Sequence, residues 1–173
     1  MGIMTKLIIV CGLPYCGKST LSENISKSLH LPLFSVDPIM SAILESGYNN
    51  RDKAGLASYK VAAKLAEEHL KLGVSVIVDS VSGPNEFKNV WRDLAKKYNV
   101  KLIIIECSCK DEALHRQRLE NRNRVLHGVP ELRWDEMKKW RDEYVPWTEE
   151  LLSLDASNSR EENSKKALDY IQQ

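Results

Sequence analysis

Long apolar runs are missing from this chain. Its apolar stretches are short pieces such as Leu7–Val10 and Leu102–Ile105, well under the roughly 20 residues that a membrane helix needs. Net charge is also nearly missing. The formal value is +1, which gives no global case for binding nucleic acid or a membrane surface. The four cysteines are Cys11, Cys16, Cys107 and Cys109. None of them forms a C-x-x-C, and no paired histidines accompany them, so they read as small apolar fillers and not as a metal or disulfide framework. His30, His69, His115 and His127 have no mutual spacing that suggests a metal site. There is no Asn-Lys-x-Asp segment of the kind that reads guanine. No internal repeat or low-complexity segment interrupts the chain, and its 173 residues are expected to form a single domain, 1–173. The apolar residues near the N-terminus lead into a strand and no small-residue cleavage site follows them, so the expected location is the cytoplasm.

What is present begins at Lys6. The apolar run Leu7–Val10 leads into Gly12-Leu13-Pro14-Tyr15-Cys16-Gly17-Lys18-Ser19-Thr20, which fits G-x-x-x-x-G-K-[ST], the Walker A pattern. Such a loop turns backbone N–H groups inward to make an anion site. The helix after it adds its N-terminal dipole. Leu21, Ile25 and Leu29 share one face of that helix. Lys18 is placed to reach β- and γ-phosphates, and Ser19 to ligate Mg²⁺. The expected ligand is therefore a nucleoside triphosphate.

Downstream, strand patterns alternate with helix patterns. Strands are expected at Leu31–Val36, Val74–Val78, Val100–Cys107 and Leu151–Leu154, and a long helix at Leu56–Leu72 after a polar loop, Gly47–Arg51. This alternation implies a parallel sheet covered by helices. Ligands gather at the carboxyl ends of such strands, and Asp37 and Asp79 are each the first polar residue after an apolar strand. Asp79, in Val-Ile-Val-Asp79-Ser80, has Walker B form and is expected to hold Mg²⁺. Ser80 stands where a hydrolytic ATPase commonly has glutamate. Asp37 is the candidate general base for an attacking hydroxyl, or else a helix cap before Pro38.

Arg116, Arg118, Arg122 and Arg124 form a basic set on and after a helix expected at Asp111–Asn121, with Arg118 and Arg122 on one face. Arginines there suit the charge that spreads over transferring phosphoryl oxygens. Asn121–Trp134 is polar and reads as a lid. Arg51 and Lys53 are candidates for an anionic substrate or for plain surface. Trp134, Trp140 and Trp147 are expected to cluster with Met137 and Tyr144, as core of a late helix in preference to a substrate wall. Cys16, at a helix N-terminus beside Lys18, raises the expectation of a depressed thiol pKa.

These motifs together resemble the P-loop kinases of nucleoside-monophosphate-kinase type, nearest the branch with chloramphenicol phosphotransferase, zeta-toxin kinases, the kinase half of phage polynucleotide kinase and seryl-tRNA kinase. The resemblance covers essentially the whole chain. It implies an α/β three-layer P-loop NTPase fold with a five-stranded parallel sheet in order 2-3-1-4-5. It implies that Asp37 contacts the acceptor hydroxyl, that Arg118 and Arg122 serve base and phosphate, and that Asp155–Arg160, with Ser157 and Arg160, packs on the base. The function expected is ATP- and Mg²⁺-dependent transfer of a γ-phosphoryl group to a small-molecule hydroxyl. The alternatives are a polynucleotide or tRNA-linked acceptor, which is not favoured, and a nucleotide-dependent ATPase or switch acting on a protein.

Overall fold

The computed structural model describes residues 4–121, 126–129 and 131–173. The chain enters on β1 (Lys6–Cys11), passes through the glycine loop, and continues as α1 (Lys18–Leu29). Then come β2 (Leu33–Ser35), α2 (Val36–Glu45), α3 (Arg51–Lys71), β3 (Val76–Asp79), α4 (Asn85–Tyr98) and β4 (Lys101–Ser108). α5 (Glu112–Asn121), α6 (Trp134–Asp142), β5 (Leu152–Asp155) and α7 (Arg160–Gln172) complete it. The five strands form one sheet in the order β2-β3-β1-β4-β5, every pair parallel. That is the expected order 2-3-1-4-5.

β1 is central and buried from Leu7 to Cys11. Successive side chains of a strand point to opposite faces, and the two faces here bury different partners. Leu7, Ile9, Cys11, Val76, Val78 and Ile104 pack with Tyr59, Ala62 and Ala66 of α3 and Trp91 of α4. Ile8, Val10, Ile77, Ile103 and Ile105 pack with Leu21 and Ile25 of α1 and Ala167 and Ile171 of α7. This is why the strand runs read as continuously apolar: both faces are covered. Cys11, Cys16 and Cys107 are buried within these layers, as apolar fillers would be.

Several boundaries differ from the sequence reading, three of them with a clear physical reason. α3 starts at Arg51, five residues before the apolar periodicity begins, because Asn50 caps it: its side chain accepts the Lys53 N–H at 2.9 Å. Capping is a local hydrogen bond, invisible to a search for apolar spacing. β2 is only Leu33–Ser35, an edge strand paired on one side with β3. α2 consequently begins at Val36, with Ser35 at its N-cap. The three tryptophans also do not cluster. Trp147 joins the α3/α4 core, Trp134 packs beside Tyr15, Leu119 and Met137, and Trp140 is exposed.

Two polar ties brace the α3/α4 layer. Glu67 of α3 accepts hydrogen bonds from Lys64 at 2.8 Å, Lys97 at 2.6 Å and Tyr98 at 2.7 Å. The fully buried Lys88 of α4 donates to the carbonyls of Gly83 and Val145, and its ammonium lies 4.8 Å from the centre of the Tyr144 ring. That anchor fastens the segment after α6 over the sheet. Ser159 caps α7, accepting the Glu162 N–H at 3.1 Å, as its spacing to Glu162 leads one to expect.

Candidate active site

The glycine loop leaves β1 against β4, and Gly12 is where the two backbones meet. Its φ is +125°, and a Cβ built there would stand 2.0 Å from the Cys107 carbonyl oxygen. Only glycine fits that crossing. Gly17, with φ +80°, is the N-cap of α1 and makes no side-chain cap bond. The first N–H groups of α1 are thereby left facing the loop. Lys18 is buried, and its ammonium donates to the Leu13 carbonyl at 2.9 Å, folding back across the loop. Ser19 is half-buried and Thr20 exposed in the first turn of α1.

Strand alternation decides which carboxylate faces the loop. Asp79 lies two residues after Ile77, so it shares the α1 face of the sheet; it is buried and sits in register with Val10 and Ser35. It does not cap a helix, since α4 begins at Asn85 with Pro84 as its N-cap. The Cys107 thiol on the same face feels both the Lys18 and Asp79 charges.

Asp37 is half-buried in the first turn of α2, not at the end of a strand. The capping position belongs to Ser35, and Pro38 falls at the third helical position, two places deeper than N1. Pro38 is still tolerated there, since N–H groups of the first turn have no helical acceptor. The Asp37 charge reaches the buried Tyr59 phenol, whose pKa is raised chiefly by burial and further by that carboxylate. The Tyr59 hydroxyl accepts the Ser82 N–H at 3.0 Å, and Ser80 and Ser82 join their hydroxyls at 2.6 Å. Asp37 and Asp79 therefore occupy the same rim, on the neighbouring elements β3 and β2–α2.

A cavity of about 440 Å³ opens beside the loop. Tyr15, Cys16, Gly17, Lys18, Ser19 and Thr20 line one side, Arg118 and Asn121 a second, and Ala156, Asn158 and Arg160 a third. Arg118 donates to the Ala156 carbonyl at 2.8 Å, joining α5 to the β5–α7 turn. Among the residues expected to bind nucleotide, Gly12, Leu13, Pro14 and Ser157 do not line this cavity. Ser157 is exposed and gives its N–H to Asp155 at 3.0 Å, while its neighbours form the wall. Arg122 and Arg124 lie outside the described residues, as do 123, 125 and 130 of the expected lid. Arg116 turns outward and pairs with Glu120 at 2.7 Å. Arg51 and Lys53 are exposed at the start of α3.

The Cys16 expectation is corrected. The thiol is buried, and burial pushes its pKa up to about 11, outweighing Lys18 beside it. Its Sγ lies 3.7 Å from Nε2 of His115. Sequence reasoning also missed His115 and Arg141 as a pair. His115 Nε2 is 2.8 Å from the Pro14 carbonyl, and Arg141 of α6 donates to its Nδ1 at 3.2 Å. The Tyr15 hydroxyl bonds the Glu131 carboxylate and accepts the Leu132 N–H at 3.4 Å. The apex of the loop is thus docked on α5, α6 and the segment between them. The loop's contacts join residues about a hundred positions apart, and His115 and Arg141 lie 26 apart on different helices, with no spacing signal to reveal them.

Fold and loop together define a P-loop nucleotide-binding domain. The chain belongs to the AAA domain family, whose model matches residues 7–144. It is 25% identical over 137 residues to the bifunctional polynucleotide phosphatase/kinase of Schizosaccharomyces pombe. That match takes in 77% of this chain but only 29% of the yeast protein. Among solved structures, a gluconokinase from Sinorhizobium meliloti 1021 superposes with a TM-score of 0.72 at 15% identity, covering 99% of this chain and 94% of the other. The APS kinase of Mycobacterium tuberculosis, in complex with AMPPNP and APS, superposes at 0.69 and 13% identity, covering 99% and 100%. At these identities the likeness to the solved structures is one of fold.

Proposed function

We propose that this chain is an ATP-dependent kinase that transfers the γ-phosphoryl group to a hydroxyl of a small molecule. One observation carries the reading: a phosphate loop with Lys18 and Asp79 on one face of the rim, and Asp37 beside that rim near the Tyr59, Ser80 and Ser82 hydroxyls. In this reading Asp37 accepts the proton of the attacking hydroxyl. The new O–P bond forms as the bond to the β-phosphate oxygen breaks, and ADP leaves. Lys18 and Arg118, with Arg122, meet the charge on the phosphoryl oxygens. Gly12–Thr20 cradle the phosphates, and Arg160 and the turn around Ser157 flank the nucleoside. Residues 121–134 serve as the lid of a single domain spanning 1–173.

The donor set suits Mg²⁺. Ser19 and Asp79 offer a hydroxyl and a carboxylate, hard oxygens of the kind that ion takes singly beside waters and phosphates. Bound with the nucleotide, Mg²⁺ supplies charge neutralisation at the β- and γ-oxygens.

A second reading gives the same chemistry a nucleic-acid hydroxyl as acceptor; the likeness to the yeast polynucleotide phosphatase/kinase favours it. The family's AAA description does not bring a motor with it. Ser80 follows Asp79 in place of a water-activating glutamate, and its hydroxyl is engaged by Ser82. No described helix is long and apolar enough to cross a membrane.

The test is ADP release measured with ATP alone, with a pooled metabolite library, and with 5′-hydroxyl RNA. Acceptor-dependent release that Asp37→Asn abolishes supports the kinase reading. Vigorous hydrolysis without acceptor, indifferent to Asp37→Asn, refutes it. Stimulation by RNA alone moves the acceptor to the second reading.

A further inference from the structure

His115 is almost fully buried, with 1% of its surface exposed, yet both ring nitrogens are used. Its two partners fix the tautomer. The Pro14 carbonyl can only accept, so Nε2 carries the hydrogen; the Arg141 guanidinium can only donate, so Nδ1 is bare. Burial, then the charges of Arg141, Arg118 and Lys18, holds its pKa below the ordinary 6.5, in keeping with that neutral ring. The Cys16 thiol is a further titratable neighbour, at 3.7 Å. Trp134 completes the enclosure. Its ring meets the imidazole edge-on at 5.6 Å, and the Arg141 guanidinium lies 5.6 Å from its centre.

The location gives this cluster meaning. Lys18 reaches back to the Leu13 carbonyl, and Lys18 is the residue expected at the outer phosphates. Leu13 and Pro14 therefore mark that end of the loop. Arg141 is separated from Pro14 by a single imidazole ring. The charges of Lys18, Arg118 and Arg141 all reach the Cys16 thiol as well, so three cations from α1, α5 and α6 converge on the apex of the loop. Among the described residues, structural ion pairing does not account for Arg141: the partners of its guanidinium are neutral, a histidine and an aromatic face, and its backbone carbonyl takes the N–H groups of Glu143 and Tyr144.

We propose that His115 is a positioning residue, its neutral ring spanning from the Pro14 carbonyl to Arg141 so that this guanidinium is held for the outer phosphates of the bound nucleotide. The inference rests on the nucleotide-binding reading and adds to it a phosphate contact from α6, on the far side of the lid segment from Arg118. The bridge also ties the apex of the loop to α6, so that filling the phosphate site and seating α6 become one event.

The test compares the full-length protein's affinity for Mg²⁺-AMPPNP with its affinity for AMP, which lacks the outer phosphates, by calorimetry. Arg141→Ala is expected to weaken AMPPNP on the order of tenfold, the effect of losing a charge-assisted contact, and to leave AMP unchanged. His115→Leu should do the same. His115→Gln, which keeps one donor and one acceptor, should recover most of the loss. The double variant His115→Leu/Arg141→Ala should lose no more than Arg141→Ala alone, since His115 acts through Arg141. An unchanged AMPPNP-to-AMP ratio in Arg141→Ala overturns the proposal, and so does an additive double variant. Arg141 is half-exposed, so its variant decides the matter even if His115→Leu fails to fold. Wild-type protein that binds neither nucleotide refutes the nucleotide-binding reading itself, before any variant is made.

Discussion

Gly12 and Gly17 both carry positive φ in the same loop, yet replacing them by alanine should have different consequences. At Gly12 the new Cβ meets the Cys107 carbonyl oxygen at 2.0 Å. That oxygen belongs to the backbone of β4, pinned in register between β1 and β5, so it cannot swing away as a side-chain tip would. Relief requires the loop to lift by more than about 1 Å to reach ordinary contact, and φ +125° adds backbone strain of roughly 1–3 kcal/mol. Together these place Gly12→Ala about 3–5 kcal/mol below wild type, in the range of severe core defects. For a domain of this size each kcal/mol moves Tm by about 2–4 °C, so a fall of at least about 6 °C is expected. At Gly17 nothing lies within 4 Å of the built Cβ, and φ is +80°. The strain there is about 1 kcal/mol, hence a fall of about 2–4 °C. Its Cβ would instead stand where phosphate approaches, so Gly17→Ala should lose AMPPNP binding while staying folded. Differential scanning calorimetry and nucleotide titration on the two variants read both quantities. A Gly12→Ala protein as stable as wild type, or a Gly17→Ala protein less stable than Gly12→Ala, would refute the reasoning.

Further outcomes are expected. Glu67 is held below its ordinary pKa of 4.5 by hydrogen bonds from Lys64, Lys97 and Tyr98, so its share of stability is full above that value and fades as pH falls through the lowered one. Urea unfolding of wild type and Glu67→Gln should accordingly differ at pH 7 and converge toward pH 2, and a gap that widens on acidification would contradict this. Cys16, with a buried thiol pushed up to about 11, should alkylate more slowly at pH 8 than the half-buried Cys109; peptide mapping that finds Cys16 modified first in native protein would sink that ranking. Arg118→Ala should break the tie to the Ala156 carbonyl and weaken nucleotide binding on the order of tenfold, whereas Arg116→Ala, which loses only an exposed pair with Glu120, should change stability and binding by little. Equal losses in both would show that the two arginines are not distinguished by the cavity.

Much of the fold was legible because it rests on patterns of short range. Apolar runs two to five residues long mark strands buried on both faces, and Leu21, Ile25 and Leu29 mark a helix by their spacing. The loop itself is a contiguous string. The start of α3 differs by a few residues because capping at Asn50 depends on a single hydrogen bond, and the start of α2 because it depends on how far the edge strand β2 pairs. The tryptophans do not group because proximity along the chain is not proximity in space: Trp134 opens α6 and Trp147 follows it, but they pack into different cores.

The sequence by itself determined the nucleotide loop, the alternation that makes the sheet parallel, and the identity of two carboxylates at its rim. Those are properties of neighbouring residues, carried by backbone sterics and by side-chain periodicity. The tertiary structure alone decided that Asp79 is buried in register with Val10 and Ser35, and that the Asp37 charge reaches the Tyr59 phenol. It also decided that Cys16 is buried enough for desolvation to outweigh Lys18. Finally, it decided that His115 joins Pro14 to Arg141. Each of these depends on which distant segments exclude water from a side chain and offer it a partner, and that is settled only when the layers close.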